Sequence, residues 1–159
     1  MKKVLVVMGS DSDLKVMEKC VDRLKSFDIP TEVRICSAHR TPAVAEQLAK
    51  NAAAEGFGVI IAAAGKAAHL GGVLAAYTTL PVIGVPMATS VMGGMDSLLS
   101  IVQMPKGIPV ATVAIDGADN AAILAAQMIA LSDDALAQKL AQFKADMAAE
   151  VTAKDEKVR

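Results

Sequence analysis

Short hydrophobic blocks recur along the chain, and most of them are followed by stretches that have the period of a helix. Five blocks have the length and pattern of strands, and they cover residues 3–8, 31–36, 57–63, 81–86 and 108–113. The first is a continuous apolar run, which is typical of a strand covered on both faces, whereas the second alternates polar and apolar residues. We therefore predict a five-stranded sheet with 3–8 in its interior. Pro109 is tolerable only at the start of the fifth strand or on an edge.

The segments between the predicted strands have helical patterns. A helix is expected after the turn 9–13 and should end before Pro30. A second helix is predicted over 42–55, with Thr41 as its N-cap and Pro42 at its first position. Another helical stretch opens within 65–72. Two further helices are predicted over 96–103 and 118–131. A long amphipathic helix follows the N-cap cluster 132–134 and should fray over 153–159. Its apolar face carries Leu136, Leu140, Phe143, Met147 and Val151.

This alternation of strands and helices predicts an α/β fold. We expect a three-layer sandwich with a five-stranded parallel sheet, flavodoxin-like in kind, plus a long C-terminal helix. A chain of 159 residues fits one domain over 1–159 and can bury a core without disulfides or metal. Open parallel sheets bind ligands in the loops at the carboxyl ends of their strands. The loop 87–94 is long enough to be a lid or a wall there, and Asp116 is expected in a turn.

Composition excludes several classes of function. The net charge is −1, and one Tyr, three Phe and no Trp leave few rings for stacking, so we expect no nucleic-acid partner. No apolar run is long enough to span a membrane, and no targeting segment is evident. Two cysteines without metal or redox spacing favour a reduced, cytoplasmic location. The hydrophobic fraction of 53% and the mean hydropathy of +0.43 exceed what a small domain buries, which predicts a homo-oligomer.

The loop 37–42 carries the strongest candidate chemistry. His39 and Arg40 place a titratable imidazole beside a guanidinium, and Arg40 lies where the N–H groups of a helix terminus favour an anion such as phosphate. The loop 9–13 offers hydroxyl and N–H groups for a phosphate or for sugar hydroxyls, although helix capping explains it equally well. His69 lies on an otherwise apolar stretch, so a structural histidine is at least as good an interpretation as a catalytic one.

None of the common cofactor signatures matches. Gly65 and Lys66 resemble the end of a Walker A loop, but Ala67 stands where Ser or Thr is required. The loop 9–13 lacks the later glycines of a dinucleotide fingerprint, and neither histidine has a metal-binding setting. Cys36 is expected to be a small core residue. We therefore predict no metal and no other cofactor.

Five stretches, taken together and in order, resemble a known family. They are 9–13 (GSDSD), 37–42 (SAHRTP), 64–70 (AGKAAHL), 81–86 (PVIGVP) and 96–105 (DSLLSIVQMP). The pattern is similar to that of the N5-carboxyaminoimidazole ribonucleotide mutases of purine biosynthesis, over nearly the whole chain. Arg40 and His69 favour the bacterial mutase class over the related class that carboxylates aminoimidazole ribonucleotide with CO2. Two positions depart from the family pattern, since Lys66 replaces a common Gly and Gly71 a common Pro.

The resemblance implies a homo-octamer with its sites at subunit junctions. It also implies a division of the substrate-binding residues into two groups. The ribose phosphate would be held by Ser10, Ser12, Asp13, Ser37 and Arg40. The imidazole and its carboxylate would lie against the loop that contains Gly65, Lys66, Ala67 and His69.

The reaction of such a mutase needs two proton movements. The carboxylate leaves N5 as trapped CO2, C4 of the same imidazole ring attacks it, and C4 then loses its proton. A side-chain imidazole, with an ordinary pKa of about 6.5, can donate a proton to N5 and accept one from C4. His39 is our candidate for this general acid and base. Two alternatives remain: an aminoimidazole ribonucleotide carboxylase that uses free CO2, and a non-catalytic module that binds a phosphorylated ligand.

Overall fold

The structure is a computed structural model, and it describes every residue from Met1 to Arg159. Its five strands are β1 (Lys3–Met8), β2 (Thr31–Ile35), β3 (Phe57–Ala64), β4 (Val82–Pro86) and β5 (Ala111–Thr112). Its six α-helices are α1 (Leu14–Ser26), α2 (Pro42–Asn51), α3 (Leu70–Tyr77), α4 (Met95–Val102), α5 (Ala118–Ala130) and α6 (Asp134–Glu156). Short 3-10 turns over Asp11–Asp13 and Met92–Gly94 precede α1 and α4.

All five strands are parallel, in the order β2-β1-β3-β4-β5. Helices cover both faces because alternate strand residues point to opposite sides of the sheet. Val4 and Val6 of β1 belong to a core that α1, α5 and the start of α6 close, whereas Leu5 and Val7 belong to a second core beneath α2, α3 and α4. The predicted three-layer parallel α/β fold is thereby confirmed, and the interior position of β1 with it.

Three elements have a boundary that differs from the prediction by more than one residue. The fifth strand is shorter than 108–113, because Pro109 lacks an N–H for the ladder and only Ala111–Thr112 pairs with β4. The second helix ends at Asn51 rather than at 55. The last helix does not fray at 153 but continues to Glu156, where Lys154 pairs with Glu150 one turn earlier. Opposite charges four residues apart stabilise an exposed helix end.

Both cysteines are buried core residues. Burial, followed by the nearby Asp119 carboxylate, raises the pKa of the Cys20 thiol to about 12. Cys36 lies at the end of β2 with its Sγ 3.8 Å from the carbonyl oxygen of Thr41. A buried thiol of this kind is inert, so the expectation of a small core residue at Cys36 agrees with its position.

Several large hydrophobic side chains remain exposed on the single chain. The most continuous group lies along one side of α4 and the turn before it, and consists of Met92, Met95, Leu99 and Val102. The spacing of Met95, Leu99 and Val102 places these three on one face of α4, and Met92 precedes them in the turn; we call the four side chains together the α4 stripe. No helix of the chain combines the length and apolarity needed to cross a bilayer.

Candidate active site

One cleft of about 570 Å³ lies at the carboxyl ends of the strands. Loops that follow β1, β2, β3 and β4 form its walls, as the topology of a parallel sheet requires. Its lining consists of Gly9, Ser10, Ser12, Asp13, Ser37, Ala38, His39, Arg40, Ala64, Gly65, Lys66, Ala67, Leu70, Met87, Ala88, Thr89 and Ser90. Every predicted site residue except His69 lines this cleft directly, and His69 contacts His39.

The loop between β2 and α2 is held in a tight turn by Thr41. The Thr41 hydroxyl donates to the carbonyl oxygen of Ser37 at 2.9 Å and accepts from the Ser37 N–H at 3.0 Å. Thr41 occupies the predicted N-cap position, but its hydroxyl does not cap α2 because these bonds turn it back to Ser37. Pro42 is the first helical residue, as predicted. Pro42 has no N–H, and the N–H groups of Val44 and Ala45 donate to the carbonyl oxygen of Thr41, so at the start of α2 only the Ala43 N–H remains available to a ligand.

Arg40 is oriented by the same turn. Its backbone N–H and its Nε both donate to the Ser37 hydroxyl oxygen, at 3.2 and 3.3 Å. The remaining guanidinium N–H groups form no ion pair with a carboxylate in the chain. A guanidinium that is both oriented and unpaired is suited to bind an oxyanion with two parallel hydrogen bonds.

The two histidines meet in space although 30 residues separate them in the sequence. His39 Nε2 lies 3.0 Å from His69 Nδ1, and the rings are nearly perpendicular. One of these nitrogens donates and the other accepts, so each ring limits the tautomer of the other. The contact joins the loop after β2 to the residue before α3 across the loop that follows β1. His69 therefore belongs to the same cluster as His39 rather than to an isolated structural position.

The loop after β1 combines a capping hydroxyl with a carboxylate, that of Asp13, which forms no ion pair. Ser10 accepts a hydrogen bond from the Ser12 N–H at 3.2 Å and thus caps the 3-10 turn. Asp13 makes no capping bond to α1, although it is the N-cap residue. Its carboxylate is buried, and burial raises its pKa against the opposing effect of hydrogen bonds from Ser10 and Ser12. A partly desolvated carboxylate of this kind gains from hydroxyl donors such as those of a ribose.

The loop after β3 brings backbone and one cation to the cleft. Gly65 approaches the next loop so closely that a Cβ there would lie 3.3 Å from Thr89 Cγ2. Lys66 and Ala67, joined by a cis peptide bond, are both exposed on the cleft wall. Ala68 and Leu70 are buried beneath them and anchor the loop to the core under α3.

The loop after β4, which the sequence predicts to be a lid or a wall, belongs to the site. Met87, Ala88, Thr89 and Ser90 in fact line the cleft, so the loop forms a wall. Its conformation depends on Asp116, which accepts a hydrogen bond from the Ala88 N–H at 2.9 Å. Asp116 was predicted only as a turn residue. The available signal was that this loop too follows a buried parallel strand.

The arrangement suits an anionic ligand whose chemistry needs proton transfer. Hydroxyl groups, helix-terminal N–H groups and Arg40 offer an anion site on one side, and the imidazole of His39 reaches into the same cleft. No three His, Cys, Asp or Glu side chains are grouped so that they could hold a metal ion. The fold and the cleft define a flavodoxin-like α/β protein with its ligand site at the carboxyl ends of the strands.

The chain belongs to the AIR carboxylase family, whose model matches residues 3–150. An N5-carboxyaminoimidazole ribonucleotide mutase of Methanocaldococcus jannaschii is 53% identical over 156 residues, which is 98% of this chain and 97% of that one. The crystal structure of Treponema denticola PurE superposes with a TM-score of 0.90 at 30% identity and covers 98% of each chain. The family resemblance inferred from the five sequence stretches is thereby confirmed.

A larger relative contains a similar region. The chloroplastic phosphoribosylaminoimidazole carboxylase of Vigna aconitifolia is 51% identical over 140 residues, which is 88% of this chain but 25% of that protein. The family thus includes proteins named for a mutase and proteins named for a carboxylase. The choice between these two reactions for this chain rests on its site and on experiment.

Proposed function

We propose that this protein is an N5-carboxyaminoimidazole ribonucleotide mutase, an isomerase that forms 4-carboxy-5-aminoimidazole ribonucleotide in purine biosynthesis. The observation that carries the proposal is His39, an imidazole in a cleft with an oriented, unpaired Arg40 and with His69 at 3.0 Å. The mutase of Methanocaldococcus jannaschii, similar over nearly its full length, supports the same reaction. The substrate has a phosphate and a carboxylate, which suits this cleft.

The substrate is bound through its ribose phosphate. Arg40 and the Ser37 hydroxyl, at the start of α2, bind the phosphate with the hydroxyls of Ser10 and Ser12. The buried carboxylate of Asp13 accepts hydrogen bonds from ribose hydroxyls. The imidazole ring of the substrate lies against the backbone of the Gly65–Ala67 loop, between the β1 loop and the wall that Thr89 forms.

His39 acts as general acid and then as general base. The N5–carboxylate bond breaks, CO2 is released, and the protonated His39 gives a proton to N5. C4 of the same ring, made nucleophilic by the adjacent amine, attacks CO2 and forms the new carbon–carbon bond. The neutral His39 then takes the proton from C4, so the imidazole ends in the state in which it began. His69 is a positioning residue that limits the tautomer and orientation of His39.

The CO2 must react before it escapes, so the walls of the cleft contribute directly to the rate. An intermediate held next to its acceptor reacts as if at very high concentration. Ala64, Leu70 and Met87 give this part of the cleft an apolar lining, against which neutral CO2 can be held. No step of this proposal requires a metal ion or another cofactor.

We further propose that the chain forms one domain over 1–159 and that it assembles into a homo-octamer in the cytoplasm. The exposed α4 stripe supports an assembly, because a soluble single chain rarely leaves such a surface uncovered. Light scattering of the purified chain, which gives its mass directly, tests the octamer. A monomeric mass at working concentration would rule it out.

The reaction is tested by converting N5-carboxyaminoimidazole ribonucleotide in a buffer that contains labelled CO2. We expect rapid formation of the C4-carboxylated isomer with little label incorporated, because the released CO2 stays in the cleft. The His39→Asn variant, of similar size and unable to exchange protons near neutral pH, should lose turnover but keep its circular dichroism spectrum. His69→Asn alters the only other histidine of the chain and should retain part of the turnover, because His69 acts only through its contact with His39.

Two results would contradict the mutase. Product formed only from aminoimidazole ribonucleotide and free CO2 would assign the chain to the carboxylase reaction. Binding of the ribonucleotide without any turnover would instead support a non-catalytic module. Full activity of His39→Asn would leave the reaction in place and refute the role of His39.

A further inference from the structure

Two basic side chains line the cleft, and they enter it from different loops. Arg40 follows β2, and Lys66 follows β3. Neither side chain takes part in any of the ion pairs of the chain. The charge of Lys66 is thus not used within the chain, and it faces a cleft that already has one oriented cation.

These two cations lie on loops that follow strands which are not neighbours in the sheet. Strands β2 and β3 lie on opposite sides of β1, so their ends are two strand spacings, or about 10 Å, apart. Arg40 is held toward Ser37 and the start of α2 by the bonds that its N–H and Nε donate. Lys66 makes no such bond, and its flexible four-carbon stem lets the ammonium group reach over a range of positions on its side of the cleft.

The substrate of the proposed reaction has two anionic groups at opposite ends. Arg40 and the free Ala43 N–H at the start of α2 suit the phosphate, because the guanidinium fork of N–H donors matches its oxygens. The carboxylate then lies on the side of the Gly65–Ala67 loop, where Lys66 is the only cation of the lining. The carboxylate moves only between adjacent atoms, the exocyclic N5 and C4, and a mobile ammonium can follow it.

We propose that Lys66 binds the carboxylate of both substrate and product and thereby determines the selectivity for carboxylated over uncarboxylated ribonucleotides. This inference rests on the proposed function. Lys66 interacts with the carboxylate before it leaves and after it is transferred, and the transition states for breaking and forming the carboxylate bond keep much of that negative charge. An interaction made to a similar extent with the ground state and the transition state acts on KM and leaves kcat nearly unchanged.

Binding of the phosphate by Lys66, instead of the carboxylate, would have a different experimental signature. If Lys66 served the phosphate, its removal would weaken every ribonucleotide equally, with or without a carboxylate. The comparison of 4-carboxy-5-aminoimidazole ribonucleotide with 5-aminoimidazole ribonucleotide, which differ only in the carboxylate, therefore isolates the proposed contact.

The experiment measures the KM of the carboxylated ribonucleotide in the reverse reaction and the Ki of the uncarboxylated one, without added bicarbonate. Lys66→Met removes the charge, Lys66→Arg keeps it, and Lys25→Met is the matched control. Lys25 is an exposed, unpaired lysine at the far end of α1. We expect Lys66→Met to raise KM about tenfold while Ki and kcat change less than about twofold, with Lys66→Arg closer to wild type.

Equal losses for both ribonucleotides, or an unchanged KM in Lys66→Met, would overturn the role of Lys66. Failure of the proposed function has a separate signature, namely a wild-type chain that turns over neither ribonucleotide. In that case calorimetric titration of the same two compounds into wild type and Lys66→Met decides the point. Selective weakening of the carboxylated compound supports the role, and any other pattern refutes it.

Discussion

Gly84 lies where β4 passes beneath α4, and its replacement by alanine should destabilise the fold. A Cβ at Gly84 would lie 2.3 Å from Ile101 Cγ2 and 3.0 Å from Val110 Cγ1. Carbon atoms in contact are normally about 3.5–4.0 Å apart, so the Ile101 methyl group must retreat by more than about 1 Å. Ile101 is buried on α4 and β-branched, which leaves it few alternative rotamers. The helix itself must therefore move.

Overpacking of this kind costs about 1–3 kcal/mol. For a domain of this size each kcal/mol corresponds to about 2–4 °C in Tm, so Gly84→Ala should lower Tm by about 2–12 °C. Thermal unfolding at one fixed protein concentration measures this, since assembly makes Tm depend on concentration. Gly71→Ala is the matched control, because a Cβ there meets Val110 and Ala62 at ordinary distances of 3.6 and 3.7 Å.

The clash makes a second, sharper prediction about a double variant. Leucine lacks the γ2 methyl group that meets the new Cβ, so Gly84→Ala with Ile101→Leu should be more stable than Gly84→Ala with Ile101 unchanged. A double-mutant cycle gives the coupling between the two sites. A Tm for Gly84→Ala within about 1 °C of wild type, or a coupling near zero, would refute the reasoning from this contact.

Two further variants test the site. His69→Ala removes the 3.0 Å contact with His39. Since a hydrogen bond contributes about 0.5–1.5 kcal/mol, kcat should fall about two- to tenfold, and the pH profile of kcat should change. An unchanged pH profile would argue against a positioning role. Burial raises the pKa of the Asp13 carboxyl above its ordinary value of 3.8, so the folded chain binds this proton more tightly than the unfolded chain does. The resulting stabilisation is fully present below pH 3.8 and is lost as the pH rises through the raised pKa. Asp13→Asn should therefore have a higher Tm than wild type near neutral pH but not below pH 3.8, measured by thermal unfolding, while its substrate KM rises; a Tm difference that does not grow with pH would contradict this.

The elements of the fold were predictable because their signals are local. The apolar run of β1 and the helical period of α1 each follow from residues within one segment. β1 has the predicted bounds, and α1 follows the predicted turn and ends before Pro30, as predicted. The exceptions depend on neighbours. The length of β5 is set by pairing with β4, and the end of α6 is extended by side-chain pairs on its exposed surface.

The site was predictable in part for a topological reason. Parallel strands bring their carboxyl ends to one edge, so the loops at Ser10, Arg40 and Lys66 had to converge once the fold class was known. The loop at Thr89 obeys the same rule, but its Gly, Met and Ser residues carry no chemical signal of their own. Its tertiary hydrogen bonds, from the Met87 N–H to Ala64 and from the Ala88 N–H to Asp116, fix it as a wall.

The sequence by itself determined the family, the α/β architecture and most of the residues that line the cleft, because these depend on periodicity, on spacing and on short ordered motifs. Tertiary structure alone decided how those residues are paired. It places His69 against His39, leaves Asp13 buried without a capping bond, and directs the Thr41 hydroxyl to Ser37 rather than to α2. Such pairings depend on distances of about 3 Å between loops far apart in the sequence, and no local pattern encodes those distances.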